Sequence, residues 1–280
     1  MAENIRLPRK RPSGICKLCL LEKTLCESHL MPTGLYRFCR RPDCDPVLIT
    51  SKVMMPTSRQ TKHRLLCEDC EMLLNRNGED WVLPTLATTE GGFPFYSLLQ
   101  KQSPLFDEPG ATAYAVSSNP EIHREALVHF ALGIFWKASV HSWKQGSISP
   151  RIDLGLQGEY FRRFLRGQAG FPQNMALLLE VSPPPVGAIC FTHPVSRRTK
   201  PEMFFFYVPG MMFTLWRGDL TEEQRLTCLI SNRQGPVVSV DTTPRVMQLL
   251  KENSDTARKT EHMHEIIRKR EHDGRRRFKL

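Results

Sequence analysis

No run of this sequence is apolar enough, for long enough, to span a bilayer. The best of them, ALVHFALGIFW from Ala126, is broken by His129 and stops well short of the roughly 20 residues that a crossing helix needs. The opening MAENIRLPRKRPSG carries basic residues but no apolar core for a secretion signal, so a soluble, cytoplasmic protein is expected. A P-loop, a GxSxG elbow and a GxGxxG fingerprint are all missing, which removes support for the commonest nucleotide-binding and hydrolase chemistries. Internal repeats are absent as well. Negative charge is the scarcer sign: 29 Asp and Glu face 39 Lys and Arg, a formal net charge of +10 over 280 residues. Such an excess concentrates polyanions around a protein, and nucleic acid, DNA first, is the partner to expect.

Cysteine is present in number, and its placement is uneven. Seven of the nine (Cys16, Cys19, Cys26, Cys39, Cys44, Cys67 and Cys70) fall within the first 90 residues, leaving Cys190 and Cys228 for the rest. An odd total containing two Cys-x-x-Cys pairs suits metal ligation in a reducing compartment better than a disulfide framework. Cys16 and Cys19 on a turn, with Cys67 and Cys70 at a helix start, can give four thiolates to one tetrahedral Zn²⁺. Cys39 and Cys44, in CRRPDC, could replace one pair or contribute to a second site. Cys190 and His193 stand close together in CFTH, where buried strand residues are the simpler account than a reactive pair.

Three regions follow from composition and periodicity, and the fold class is α+β. Residues 1–92 read as a small metal-organised module, with short strands at GLYRF and PVLITSKVM and a helix that starts at CEDCEMLL and stops at Asn77-Gly78. Residues 95–245 read as a larger α+β domain. Its long core helix lies in SNPEIHREALVHFALGIFWKASVHSW, capped by Ser118 or Asn119 with Pro120 at the first helical position. Ile122, Ala126, Leu127, Phe130, Ala131, Ile134 and Phe135 recur there at helical steps, and His129, Trp136 and His141 read as packed or surface residues. YFRRFLRG predicts a shorter amphipathic helix with its arginines outward. ALLLEV, GAICFTH, MFFFYVPG, MMFTLWRG and PVVSVDTT predict an antiparallel sheet with helices on one side. Residues 246–280 predict a basic, partly detached helical tail, since nine Lys or Arg stand against four Asp or Glu from Ala257 onward.

CKLC, then SHLMP, then LLCEDCE resemble in order and spacing the zinc-bearing HNH endonucleases, over about residues 14–80 only. The resemblance implies a treble-clef, ββα-metal module in which Cys16, Cys19, Cys67 and Cys70 hold a structural Zn²⁺ and a catalytic Mg²⁺ or Mn²⁺ meets the scissile phosphate. By position it makes His29 the general base, a task suited to an imidazole with an ordinary pKa of about 6.5. Glu71 falls where the family has a cation ligand, and His63 lies loosely near the residue that orients the base. This sequence departs from the family at Ser28, where an acidic residue normally precedes the base, and in the longer gap between Cys19 and Cys67. Asp43, Asp45 and Glu79 are the carboxylates that could make up for Ser28.

The implied activity is metal-dependent hydrolysis of DNA, as in bacterial defence or mobile elements, with Arg9, Lys10, Arg11, Arg275, Arg276 and Arg277 gripping phosphates. The alternative is a degenerate, non-catalytic zinc module that binds nucleic acid or a protein, in which His29 ligates zinc or supports a ligand. A third reading gives the function to residues 95–245, with the zinc module as scaffold. A homo-oligomer, or a partner protein that completes the metal site, also stays open.

Overall fold

The computed structural model describes residues 12–40, 46–50, 52–144, 150–231, 233–261, 263–265 and 268. Strands β1 (Ser13–Ile15) and β2 (Glu22–His29) pair antiparallel on either side of the first cysteine pair. Next come helix α1 (Thr33–Phe38), the hairpin β3 (Val47–Ile49) and β4 (Val53–Pro56), and β5 (Lys62–Cys67), which returns to pair with β2. GLYRF is therefore a helical turn and not a strand. Leu35 and Phe38, three apart, fall on one side of that turn, and both pack into the core. The Tyr36 hydroxyl meanwhile accepts a hydrogen bond from Thr61 N at 3.0 Å.

Helix α2 (Glu68–Leu74) starts from Cys67 and does not stop at Asn77-Gly78. It widens into a π turn, Asn75–Glu79, and runs on through α3 (Asp80–Val82) and a 3₁₀ turn at Leu83–Thr85. Gly78 serves packing here and ends nothing: a Cβ at that position would lie 2.9 Å from the backbone of Phe130.

After α4 (Pro94–Leu99) and the hairpin β6 (Phe106–Glu108) and β7 (Ala111–Tyr114), the chain enters α5 (Arg124–Val140). Asn119 caps a turn in place of this helix, its side chain accepting from Glu121 N at 2.9 Å, so α5 begins four residues later than the Asn119 cap would place it. All thirteen residues from Ala126 to Ala138 are buried, as befits a helix covered on every side. Phe130 and Phe135 meet Phe206 and Phe213 of the large sheet at centroid separations of 5.0–6.3 Å. Another flank of α5 lies against the π turn and Leu74. One hydrophobic cluster thus runs from Cys16 to Val237, across the region near residue 92.

The chain continues through α6 (Gln157–Leu165), β8 (Met175–Val181), β9 (Val195–Arg197), β10 (Glu202–Val208), β11 (Met211–Arg217), α7 (Glu222–Leu226) and β12 (Val237–Ser239), whose strands complete the large sheet. Its order is β6-β7-β12-β8-β11-β10-β9. The sheet is mixed and not wholly antiparallel, because β12 lies parallel to β8 after the chain has crossed from β11 to the far side of β8. GAICFTH is not a strand. It runs over the sheet with one backbone bond, Thr192 N to Tyr207 O at 2.9 Å, while β9 takes the ladder positions opposite Met203–Phe205.

The C-terminal region is docked and not detached as far as it is described. Helix α8 (Thr243–Thr256) buries Val246 against Tyr207 and Met212 on the sheet face opposite α5. Strand β13 (Arg258–Lys259) then pairs parallel with Val53 and Met54 of β4, and Met263 is buried.

Candidate functional site

The knuckle is built by the backbone. Cys16 N donates to Leu21 O at 2.9 Å, Leu20 N returns a bond to Cys16 O at 2.8 Å, and Lys17 N ties the loop to Leu65 O at 3.1 Å. The turn closes with Leu20 at φ 63°, a left-handed conformation that costs a leucine about 1–2 kcal/mol. From α6, Arg162 reaches in to bond Leu18 O at 2.8 Å while Glu159 grips its guanidinium at 2.7 Å through two oxygens. Its side chain is 12% exposed, so this arginine of YFRRFLRG does not face outward.

These contacts carry Cys16 and Cys19 to Cys67 and Cys70, whose sulfurs all lie within 4.8 Å of one another. Cys19 Sγ and Cys67 Sγ are 3.9 Å apart, close to the roughly 3.8 Å expected between two thiolates on one tetrahedral zinc with 2.3 Å bonds. Cys67 N donates to Cys16 Sγ at 3.3 Å. Hydrogen bonding from Cys70 and from backbone amides lowers the Cys16 thiol to about 4. The Cys70 thiol is held well up, first by its bond to Cys16 and then by burial, and burial raises Cys67. One thiolate makes its neighbours harder to ionise, and a divalent cation removes that conflict, so the donor set fits Zn²⁺. Among the described residues, no other group of three or more His, Cys, Asp or Glu side chains brings its ligand atoms together in this way. Cys39 stands apart, its sulfur 4.0 Å from Ile189 O and its thiol pushed up to about 11 by burial.

His29 closes β2. Its Nδ1 lies 3.2 Å from Thr33 Oγ1, and Gln60 bonds the ring as well. Burial, followed by the charges of Lys137 and Lys62, holds the imidazole below its usual pKa, which keeps it neutral at pH 7. Beside it, Ser28 is fully buried, its Oγ accepting from Leu66 N at 3.1 Å and also bonding Glu71. Burial raises the Glu71 carboxyl against the pull of Lys137 and Ser28, and its Oε1 is enclosed without a hydrogen-bond partner. Lys137, from α5, is 3% exposed and 3.6 Å from Glu79 Oε1. His29, Glu71, Glu79 and Lys137 thus form one electrostatic group behind the cysteine cluster.

Lys137 belongs to none of the sequence motifs. Its signal is a lone charge inside an apolar helical run, between Trp136 and Ala138. His63 sits elsewhere, stacked on His141 at 3.9 Å and 18°. Cys190 and His193 lie in the irregular segment over the sheet, with burial pushing the thiol up to about 12 and the imidazole down to about 4. Arg9, Lys10, Arg11, Asp43, Cys44, Asp45, Arg275, Arg276 and Arg277 lie outside the described residues.

Compared with known proteins, the chain matches no family model, no curated protein and no solved structure. No helix among the described residues is long and apolar enough to cross a membrane.

Proposed function

We propose that residues 14–80 form an HNH-type, treble-clef nuclease module that hydrolyses phosphodiester bonds in DNA, with His29 as general base and Zn²⁺ on the four cysteines as its structural core. The observation that carries this reading is the placement of His29: it ends the strand that pairs with β5, and β5 runs directly into Cys67 and Cys70. A zinc ion there pins both strands and so fixes the imidazole. Thr33 and Gln60 orient the ring, and burial beside Lys137 and Lys62 leaves it neutral, the state in which it can take a proton from water attacking phosphorus. The net charge of +10 draws the polyanionic substrate in.

The described side chains do not assemble a ready Mg²⁺ or Mn²⁺ set. Glu71 points its free oxygen into an enclosed space near Lys137, and His63 is engaged with His141. A hydrated Mg²⁺ needs only one or two carboxylates besides substrate phosphate, a part that Glu71 could fill.

A second reading is favoured by Lys137. Its ammonium stands against the Glu79 carboxylate and acts on Glu71, as a divalent cation does in an active nuclease, which is the arrangement of a scaffold that binds nucleic acid without cutting it. Plasmid nicking with Mg²⁺ or Mn²⁺, beside His29→Ala, separates the two. The nuclease reading expects nicking that falls by about 10²–10⁴ in the variant. DNA binding with no nicking by either protein establishes the second reading and ends the first.

A further inference from the structure

A separate cavity lies on the far side of the large sheet, where α8 crosses β9, β10 and β11. It encloses about 210 Å³. An apolar cavity of roughly 150 Å³ accepts benzene, so a substituted ring or a fused pair fits here. The floor follows from strand periodicity: Met203, Phe205 and Tyr207 alternate along β10 and face the same way, with Met212 opposite Tyr207 on the partner strand. Thioether and aromatic groups make a soft, polarisable surface for a flat ring.

The rim is polar and asymmetric. On the β9 side, the Arg197 guanidinium lies 5.4 Å from the Phe205 ring centroid, and among the described residues it has no carboxylate partner. On the α8 side, Arg245 is already neutralised by both oxygens of Glu180, at 2.7 and 3.1 Å. Gln248 donates to Glu252 at 2.9 Å, leaving carboxylate acceptor capacity facing the cavity. Among the described residues, a cation with no carboxylate partner therefore stands at the rim of an apolar slot, across from a hydrogen-bond acceptor.

We infer that this cavity is a binding site for a small aromatic or heteroaromatic anion, its ring on Met203, Phe205 and Met212, its carboxylate or phosphate on Arg197, and a ring or exocyclic N–H toward Glu252. The inference is independent of whether the cysteine module cleaves DNA. Full-length protein carrying ¹³C-methyl methionine provides the test, titrated with indole-3-carboxylate and AMP as the two anion types and with indole and adenosine as neutral counterparts.

The expected result is a shift of the Met203 and Met212 methyl signals by at least one of the two anions, with a dissociation constant under about 1 mM. The neutral counterpart should bind about tenfold more weakly, and Arg197→Ala should cost the anion a similar factor while Arg197→Lys restores part of it. Arg197 lies on an exposed edge strand, so its replacement leaves the core intact. Which anion binds identifies the headgroup. Failure of both anions to move the two methyls, or anion binding unchanged in Arg197→Ala, overturns the inference.

Discussion

At the scale of single residues, the metal site depends on an unfavourable local choice. Leu20 adopts φ 63° although it is 52% exposed and gains little from burial. Only the knuckle bonds and the sulfur cluster hold it there. Glycine takes that conformation without the Cβ penalty but loses more freedom on folding, so Leu20→Gly is expected to be neutral or to stabilise by up to about 1 kcal/mol. Denaturant midpoints on zinc-loaded protein check this. Lys137 teaches the opposite lesson about legibility. The cysteines announced themselves because Cys-x-x-Cys spacing is local chemistry, whereas the meaning of Lys137 depends on Glu79 and Glu71, which only the fold brings to it.

Among the elements, the π turn and α5 approach each other closely at Gly78 and Phe130. A methyl at position 78 would strike the Phe130 backbone at 2.9 Å, and neither main chain can yield as a flexible side chain would. Gly78→Ala is expected to destabilise by about 1–3 kcal/mol, read from thermal or denaturant unfolding.

A zinc ion on the four sulfurs would act at the same scale, since these come from the β1–β2 connection, the end of β5 and the start of α2. Structural zinc sites contribute about 10–16 kcal/mol in small modules, so EDTA should abolish the protection of amides in β2 and β5 against hydrogen exchange. Unchanged protection would mean that packing against α5 and α6 suffices without metal. The helix start at the second cysteine pair was readable from sequence because a periodic run follows it. GLYRF was not, because five residues that include two aromatics carry no period of their own and take the shape that their burial demands. The parallel pairing of β12 was equally hidden, since it depends on which side of β8 the chain reaches.

For the whole molecule, titration sets the next expectation. Burial holds His29, His129, His141 and His193 below their unfolded values, His193 at about 4. The unfolded chain therefore binds more protons as pH falls below about 6.5. Stability is full above that pH and is lost on the way down toward the folded values. Glu71, raised by burial, pulls the other way. Between pH 6.5 and 5, His193 alone accounts for about 2 kcal/mol. Unfolding midpoints at pH 7.5 and 5.0 should show the loss, and His193→Gln should flatten it.

The return of β13 to β4 also fixes an order of events during synthesis. The small sheet β13-β4-β3 gains its last strand only after Lys259, about 200 residues beyond β4, has left the ribosome. A product cut short before Arg258 leaves one side of β4, Val53–Pro56, with its amides and carbonyls bare, ready to recruit a strand from another copy.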